Sequence, residues 1–143
     1  MLEEFDHVFI DGISLVLILK LLNISHENRY SFDYTSVAKY VFEKSMKLDL
    51  SIFLIGSKRC EIEKAIKNIR KIYSRINIIG YRSGYFDNDI ELSRTAQNIS
   101  KINPDVLIVG MGVPLQERFL LEVKKFGWSG YGFTCWGIFT SNC

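Results

Sequence analysis

The feature that most constrains the fold is a repeated order of segments: a short apolar run ends in glycine, and a longer segment with helical spacing follows it. The clearest runs are SIFLIG (51–56), INIIG (76–80) and VLIVG (106–110). Each is short, apolar and rich in β-branched residues, which is typical of a strand buried on both faces. After SIFLIG, apolar residues recur at positions 62, 65, 66, 69 and 73 with basic residues between them, which predicts an amphipathic helix.

The other segments continue this alternation of strands and helices. HVFI (7–10) predicts a first strand, residues 13–22 a buried helix, and residues 33–48 a helix with one apolar face. Helical spacing recurs at positions 92, 96, 99 and 102 and from Phe119 to Phe126, and a last strand is expected within GYGFTCWGIF (130–139). With 143 residues and 48% hydrophobic content, the chain predicts one Rossmann-like α/β domain over residues 1–143, a parallel sheet flanked by helices.

Charge and composition exclude several classes of protein. The net charge is +2 and the basic residues are scattered along helices, so nucleic acid is not an expected partner. The start MLEEFD is acidic where a secretion signal would be basic, and the apolar run LVLILKLL is short and contains Lys20, so no spanning helix is predicted. These features predict a cytoplasmic protein.

Candidate ligand sites follow from the parallel sheet, because ligands bind at the carboxyl ends of its strands. Three places meet that condition: Asp11-Gly12, Gly56-Ser57-Lys58, and the stretch from Gly110 to Glu117. Each leads into a predicted helix, whose unpaired N–H groups suit a phosphate. The alternative is that these glycines only shape turns, while Pro114 opens the helix and Glu117 complements its dipole.

Two kinds of ligand site are disfavoured. A dinucleotide fold needs a third glycine where this chain has Leu115, and an acidic residue about 20 positions further on, whereas none follows Glu122. Asp87 and Asp89 have the D-x-D spacing by which nucleotide-sugar transferases hold a divalent cation, but Asp89 is also suited to be the N-cap of the next helix. We therefore predict no metal site and no cofactor.

Four blocks of the sequence carry a resemblance to a known family. DGISLVLILKLL, LSIFLIGSKRCEIEKA, INIIGYRSGYF and PDVLIVGMGVPLQERFL resemble, in this order, the blocks of the WecG/TagA/CpsF glycosyltransferases. The most specific block has the family form G-x-G-x-P-x-Q-E, and Gly110, Gly112, Pro114, Gln116 and Glu117 match it in full. The resemblance runs from the first strand to about Phe139.

The resemblance implies a function in the synthesis of bacterial cell-envelope polysaccharide or teichoic acid. Family members transfer a sugar, commonly of the N-acetylmannosamine type, from a UDP-sugar donor to a polyprenyl-diphosphate-linked acceptor at the inner face of the membrane, with inversion. Asp11 matches the position proposed as catalytic base, and its alternative role is an N-cap of the following helix. Peripheral contact with the membrane is expected for the family, and the sequence leaves open whether the chain forms a homo-oligomer.

The residues expected to bind substrate lie at strand ends or helix starts. Gln116 offers hydrogen bonds to the nucleotide or sugar, Glu117 is expected to orient its neighbours, and Tyr85 could stack on uracil or simply be a packed surface residue. The full predicted set is Gly12, Gly56, Arg82, Tyr85, Gly110, Gly112, Gln116 and Glu117.

The chain also departs from the family pattern. Members carry a further strand and helix before the block that begins at Asp11, and they continue past the last strand into an arginine-bearing tail. We therefore expect this chain to be incomplete relative to the family. Two alternatives follow, a catalytically inactive nucleotide-sugar-binding fragment and a Rossmann-like domain with an unrelated small ligand.

Overall fold

The computed structural model describes residues 37–135. The predicted first strand, the helix after it, and Asp11 and Gly12 lie outside these residues. The elements of the described part alternate in type: α1 (Val37–Lys47), β1 (Ile52–Gly56), α2 (Arg59–Ile72), β2 (Ile78–Arg82), α3 (Asp89–Ile102), β3 (Val106–Gly110), α4 (Leu115–Lys125) and β4 (Tyr131–Thr134).

The four strands form one sheet in the order β2-β1-β3-β4, and all neighbouring pairs are parallel. β1 and β3 run in register from Ile52 opposite Val106 to Gly56 opposite Gly110. The Rossmann-like parallel sheet predicted from the alternating segments is therefore confirmed. No helix among residues 37–135 is long and apolar enough to cross a membrane.

Helices cover both faces of the sheet, because alternate side chains of each central strand point in opposite directions. Ile52 and Leu54 of β1 join a hydrophobic cluster with α1 and α2. Phe53 and Ile55 join a second cluster with α3 and α4. Apolar runs without polar interruption are what such a doubly covered strand requires.

One strand begins later than the sequence suggested. INIIG predicted a strand over residues 76–80, whereas β2 spans Ile78–Arg82. The Ile76 N–H donates to the Tyr73 carbonyl at 3.1 Å, and the Ile78 N–H donates to the Ile76 carbonyl at 3.2 Å. These bonds hold the first residues of the run in a turn after α2, and the strand extends to Arg82.

Candidate nucleotide-sugar site

A crevice is expected at one particular point of the sheet edge. The chain passes from β1 outward to β2 and then crosses back over β1 to form β3. The helices after β1 and β3, which are α2 and α4, consequently pack on opposite faces of the sheet. Ligands of open α/β sheets bind where the order of strands reverses in this way, so the carboxyl ends of β1 and β3 mark the candidate site.

The loops that follow β1, β2 and β3 are joined to one another at this edge through Ser57. Its N–H donates to the Gly110 carbonyl at 3.0 Å, and its own carbonyl accepts from the Gly84 N–H at 3.0 Å and from the Ser83 hydroxyl at 2.9 Å. Ser57 has a positive φ of 51°, which is uncommon for a residue with a side chain. One residue thus fixes the relative positions of three loops.

Gly84 shows how closely these loops approach. A Cβ at this position would lie 2.5 Å from Met111 Cγ and 2.8 Å from Gly56 Cα. The methionine side chain can move, but the Gly56 backbone belongs to the end of a central strand and cannot. The loop after β2 therefore requires glycine here for steric reasons.

Arg82 organises the loop that carries Tyr85. Its guanidinium donates to the Ser83 carbonyl at 3.0 Å and to the Tyr85 carbonyl at 3.4 Å, and it forms an ion pair with Glu91 of α3. The guanidinium carbon also lies 4.5 Å from the centroid of the Phe86 ring, a favourable cation–π distance. Arg82 is thus engaged with the protein itself, and its contact with substrate stays a prediction.

A pocket of about 720 Å³ opens among these loops, a volume in the range of small-molecule sites. Of the predicted substrate-binding residues, Tyr85, Gly110 and Gly112 line it, and Ser57 and Leu115 contribute as well. Tyr85 is 66% exposed, so its ring is free to stack against a ligand.

The start of α2 is already occupied by a carboxylate of the chain. Glu61 accepts from the Lys58 N–H at 3.1 Å and from the Ser57 hydroxyl. The Ser57 hydroxyl, followed by the Lys58 N–H, lowers the pKa of this carboxyl. Because an anion already satisfies this helix end, it is a poor place for a phosphate.

The start of α3 is likewise capped, although by a different residue than the sequence suggested. Asn88, not Asp89, is the N-cap, and its side chain accepts from the Glu91 N–H at 2.9 Å. The Glu91 carboxylate in turn accepts from the Asp87 N–H at 2.7 Å. Asp89 is the first helical residue and pairs with Arg118 at 3.0 Å, and residues 37–135 contain no group of three potential metal ligands.

The start of α4 differs from these two. Its N-cap is Pro114, which supplies no side-chain hydrogen bond. Gly112 has a φ of +83°, and no atom of the described residues lies within 4 Å of where its Cβ would be, so this part of the chain leaves the space beside the backbone open. Of the helix starts that follow β1, β2 and β3, this is the one without a cap from its own side chains.

Gln116 and Glu117 lie in the first turn of α4 and are buried, with exposed fractions of 3% and 8%. Gln116 Nε2 donates to Glu117 Oε1 at 2.9 Å. The other oxygens, Gln116 Oε1 and Glu117 Oε2, have no hydrogen-bond partner among residues 37–135. Buried polar atoms are nearly always paired in native structures, so two unpaired acceptors in one place indicate a functional site.

Three of the eight predicted substrate-binding residues therefore line the pocket, whereas Gly56, Arg82, Gln116 and Glu117 do not and Gly12 lies outside the described residues. The contributions of Ser83 and Asn88 were missed by the sequence reasoning, and Ser57 was predicted only as part of the strand end Gly56-Ser57-Lys58. Asn88 had a recognisable signal, since an asparagine three residues before a glutamate is typical of a helix start. The hydrogen bond from the Ser83 hydroxyl to the Ser57 carbonyl joins residues that are 26 positions apart, so no local sequence pattern predicts it.

The chain belongs to the WecG/TagA/CpsF glycosyl transferase family, whose model matches residues 1–139. It is 41% identical over 139 residues, 97% of its length, to the UDP-Gal:alpha-D-GlcNAc-diphosphoundecaprenol beta-1,4-galactosyltransferase of Shigella boydii. It is also 31% identical over 120 residues, 83% of its length, to the N-acetylglucosaminyldiphosphoundecaprenol N-acetyl-beta-D-mannosaminyltransferase of Bacillus subtilis (strain 168). The match covers 58% and 44% of these proteins, so the chain spans about half the length of the curated relatives it matches.

Proposed function

We propose that this chain is the nucleotide-sugar-binding part of an inverting glycosyltransferase that moves a sugar from a UDP-sugar to a polyprenyl-diphosphate-linked acceptor. The observation that carries the proposal is the pocket at the carboxyl ends of β1 and β3, next to the start of α4, where the N-cap residue Pro114 supplies no side-chain hydrogen bond. Family membership and the printed activities of the relatives support the same class of reaction. We further propose that the reaction takes place at the inner face of the cell membrane, because the proposed acceptor is a membrane lipid.

The diphosphate of the donor is best accommodated at the start of α4. Backbone N–H groups at a helix start carry a partial positive charge that favours an anion. Carboxylates of the chain already occupy this position at α2 and α3. At α4 the loop from Gly110 to Pro114 is open beside Gly112, so a phosphate can approach the backbone closely.

The nucleoside is expected on the Tyr85 side of the pocket. The tyrosine is exposed and lines the pocket, while Arg82 and the Phe86 ring hold its loop in place. Phe86 also stacks on Phe119 of α4 with ring centroids 5.6 Å apart. An exposed ring on a well-fixed loop loses little entropy when a uracil stacks on it.

Asp11 is the proposed base, by its match to the family position. It would take the proton of the acceptor hydroxyl as the oxygen forms its bond to the anomeric carbon, while the bond from that carbon to UDP breaks. A positioned base contributes about 10²–10⁴-fold to such a rate. The leaving UDP would be stabilised by the N–H groups at the start of α4 without a metal ion.

Two donor sugars are candidates. The sequence blocks suggested an N-acetylmannosamine-type sugar, and the two Bacillus relatives at 31% and 28% identity carry that activity in their names. The 41% identity to the Shigella galactosyltransferase favours UDP-galactose as the second candidate. Calorimetric competition between UDP-galactose and UDP-N-acetylmannosamine for the chain would decide between them.

Nucleotide binding tests the proposal first. We expect UDP to bind with the same affinity in EDTA and in manganese, because backbone N–H groups rather than a cation receive the phosphates. Isothermal titration in the two buffers measures this. If EDTA abolishes binding and manganese restores it, the metal-free site is wrong, and if UDP fails to bind in either buffer, the nucleotide-sugar assignment is wrong.

Transfer of sugar separates an enzyme from an inactive binding fragment. Asp11→Asn should leave UDP affinity nearly unchanged and lower transfer to a diphosphate-linked lipid acceptor by about 10²–10⁴-fold. Asp49→Asn is a matched control, because Asp49 is exposed, lies just after α1 and has a φ of 54° that asparagine adopts readily. Transfer that survives Asp11→Asn contradicts the role of the base, and a wild-type chain that binds UDP without transfer supports the binding fragment.

A further inference from the structure

Ser57 holds a backbone conformation that needs support from another residue. Its φ of 51° lies in the left-handed region, which is unfavourable for residues with a side chain because the Cβ comes too close to the following carbonyl oxygen. The same residue joins the loops after β1, β2 and β3 through its N–H and its carbonyl. Relaxation to a negative φ would turn these two groups relative to each other, so both sets of bonds could not be kept. The group that stabilises this conformation therefore helps to fix the shape of the pocket.

Glu61 supplies that support from the first turn of α2. Its Oε2 atom accepts from the Ser57 hydroxyl and from the Lys58 N–H, the latter at 3.1 Å. These donors belong to consecutive residues, so one carboxylate oxygen fixes both the side chain of Ser57 and the backbone that follows it. The Ser57 hydroxyl and the Lys58 N–H also lower the pKa of Glu61. The carboxylate is therefore ionised at neutral pH, and it accepts both bonds as a charged group.

A continuous chain of hydrogen bonds leads from Ser57 to the exposed tyrosine of the pocket. The Ser57 carbonyl accepts from the Ser83 hydroxyl at 2.9 Å, and the oxygen of that hydroxyl accepts from the Tyr85 N–H at 3.3 Å. The Ser57 carbonyl also accepts from the Gly84 N–H at 3.0 Å. Glu61, on α2, is thus linked through two serines to Tyr85, in the loop after β2.

Ser57 also connects this loop to the opposite side of the pocket. Its N–H donates to the carbonyl of Gly110 at 3.0 Å, and Gly110 is the last residue of β3. Ser57, Tyr85 and Gly110 all line the pocket. A change in the backbone of Ser57 would therefore move the loop that carries Tyr85 relative to the end of β3, and the width of the pocket would change with it.

We propose that Glu61 is a positioning residue of the pocket, which holds Ser57 in its left-handed conformation and thereby sets the distance between the Tyr85 loop and the end of β3. This inference rests on the proposed function in using UDP as the ligand, and it adds a residue that acts through Ser57 and not by contact with the nucleotide. Without the carboxylate, Ser57 relaxes in a fraction of the molecules. The apparent affinity for UDP falls in proportion to the fraction that remains competent to bind.

Glu61→Ala removes both bonds to the carboxylate. A left-handed backbone is about tenfold less favourable for a residue with a Cβ, and the remaining bonds of Ser57 oppose its relaxation. We therefore expect UDP affinity in isothermal titration to fall by about three- to tenfold. Glu61→Gln keeps an oxygen that can accept both bonds, and it should bind UDP within about threefold of the wild type. Glu63→Ala is the matched control, because Glu63 lies on the same helix but bonds to Arg59 and Tyr81, and it should keep the UDP affinity.

A second background separates positioning from a general loss of stability. Glycine adopts a positive φ without strain and has no hydroxyl for the carboxylate to hold, so Ser57→Gly removes the need for Glu61. In a chain that already carries Ser57→Gly, adding Glu61→Ala should change UDP affinity by less than about twofold. A carboxylate that only stabilised the start of α2 would have the same effect in both backgrounds. Urea unfolding of each variant shows that the titrated chain is folded.

Backbone amide shifts of the ligand-free chain give a readout that needs no nucleotide. Glu61→Ala should move the NMR signals of the Gly84 and Tyr85 amides, because both bond to groups that Ser57 positions. Glu63→Ala should leave these two signals close to their wild-type positions.

Each outcome supports or overturns the inference. A loss of affinity in Glu61→Ala that disappears in the Ser57→Gly background, together with moved Gly84 and Tyr85 signals, supports it. Unchanged affinity in Glu61→Ala, or an equal loss in both backgrounds, overturns it, while UDP binding by the wild type leaves the proposed function intact. If the wild type binds no UDP, the proposed function is overturned and the amide shifts decide the inference, which unmoved Gly84 and Tyr85 signals would overturn.

Discussion

Gly84→Ala is the substitution for which the structure predicts the largest effect at the candidate site. The added methyl group would lie 2.5 Å from Met111 Cγ and 2.8 Å from Gly56 Cα, and atoms do not approach so closely. Met111 can change its rotamer, but Gly56 ends β1 and pairs with Gly110 of β3. The loop after β2 must therefore move away from the sheet edge.

The expected cost follows from two contributions. Inserting one methyl group into a packed environment typically costs about 1–3 kcal/mol. Moving the loop also lengthens the bond from the Gly84 N–H to the Ser57 carbonyl, now 3.0 Å, and losing such a bond costs about 1 kcal/mol. The free energy of unfolding should fall by about 2–4 kcal/mol, and UDP affinity should fall as well because Tyr85 moves with the loop.

Urea unfolding and calorimetric titration with UDP measure the two effects, with an unchanged slope of the urea dependence confirming that stability alone has changed. Gly127→Ala is the control. Gly127 has a φ of +92°, and no atom in the part of the chain that the structure describes lies within 4 Å of its Cβ position. It follows α4 at the opposite edge of the sheet. The Gly127→Ala variant should lose about 1 kcal/mol of its free energy of unfolding through backbone strain and keep its UDP affinity. A Gly84→Ala variant as stable as the wild type would refute the reasoning.

Two further predictions concern the opposite edge of the sheet. Trp128→Phe removes the buried bond from Nε1 to the Pro104 carbonyl, 2.7 Å long, and should lower the free energy of unfolding in urea by about 1–2 kcal/mol while UDP affinity stays constant. The Ser51 hydroxyl, followed by the Ser51 N–H, lowers the pKa of Asp105. The contact therefore stabilises the fold fully above the ordinary Asp pKa of about 3.9. This stabilisation is lost as the pH falls through the lower pKa of Asp105 in the folded state. Ser51→Ala should raise the Asp105 pKa measured by NMR and reduce this loss of stability in acid, and an unchanged pKa would contradict the assignment.

Much of the fold could be predicted because its strands carry strong local signals. Ile52–Gly56 and Val106–Gly110 are uninterrupted apolar runs that end in glycine, and a central strand covered on both faces needs that pattern. The start of β2 could not be predicted, since Ile76 fits a strand as well as Ile78 does and the turn after α2 decides the boundary. The first predicted strand and Asp11 lie outside the described residues, so their roles stay predictions.

The candidate site was only partly readable from the sequence. The glycines were predicted from their positions at strand ends, and the Gln116-Glu117 pair was predicted because a turn alone does not require an amide and an acid. Their burial, and the free acceptors that follow from it, depend on packing against the rest of the fold. The hydrogen bonds made by Ser57 form only where three loops meet, and no local sequence pattern predicts that meeting.

The most direct test of the central claim is to locate the nucleotide on the sheet. Backbone amide shifts of the labelled chain can be followed by NMR during titration with UDP. The account predicts that the largest changes fall at residues 110–113, at residues 115 and 116, and at Ser57 and Tyr85, which lie at the carboxyl edge. Changes centred on Ser51, Asp105 and Gly130, at the amino edge of the strands, would contradict it.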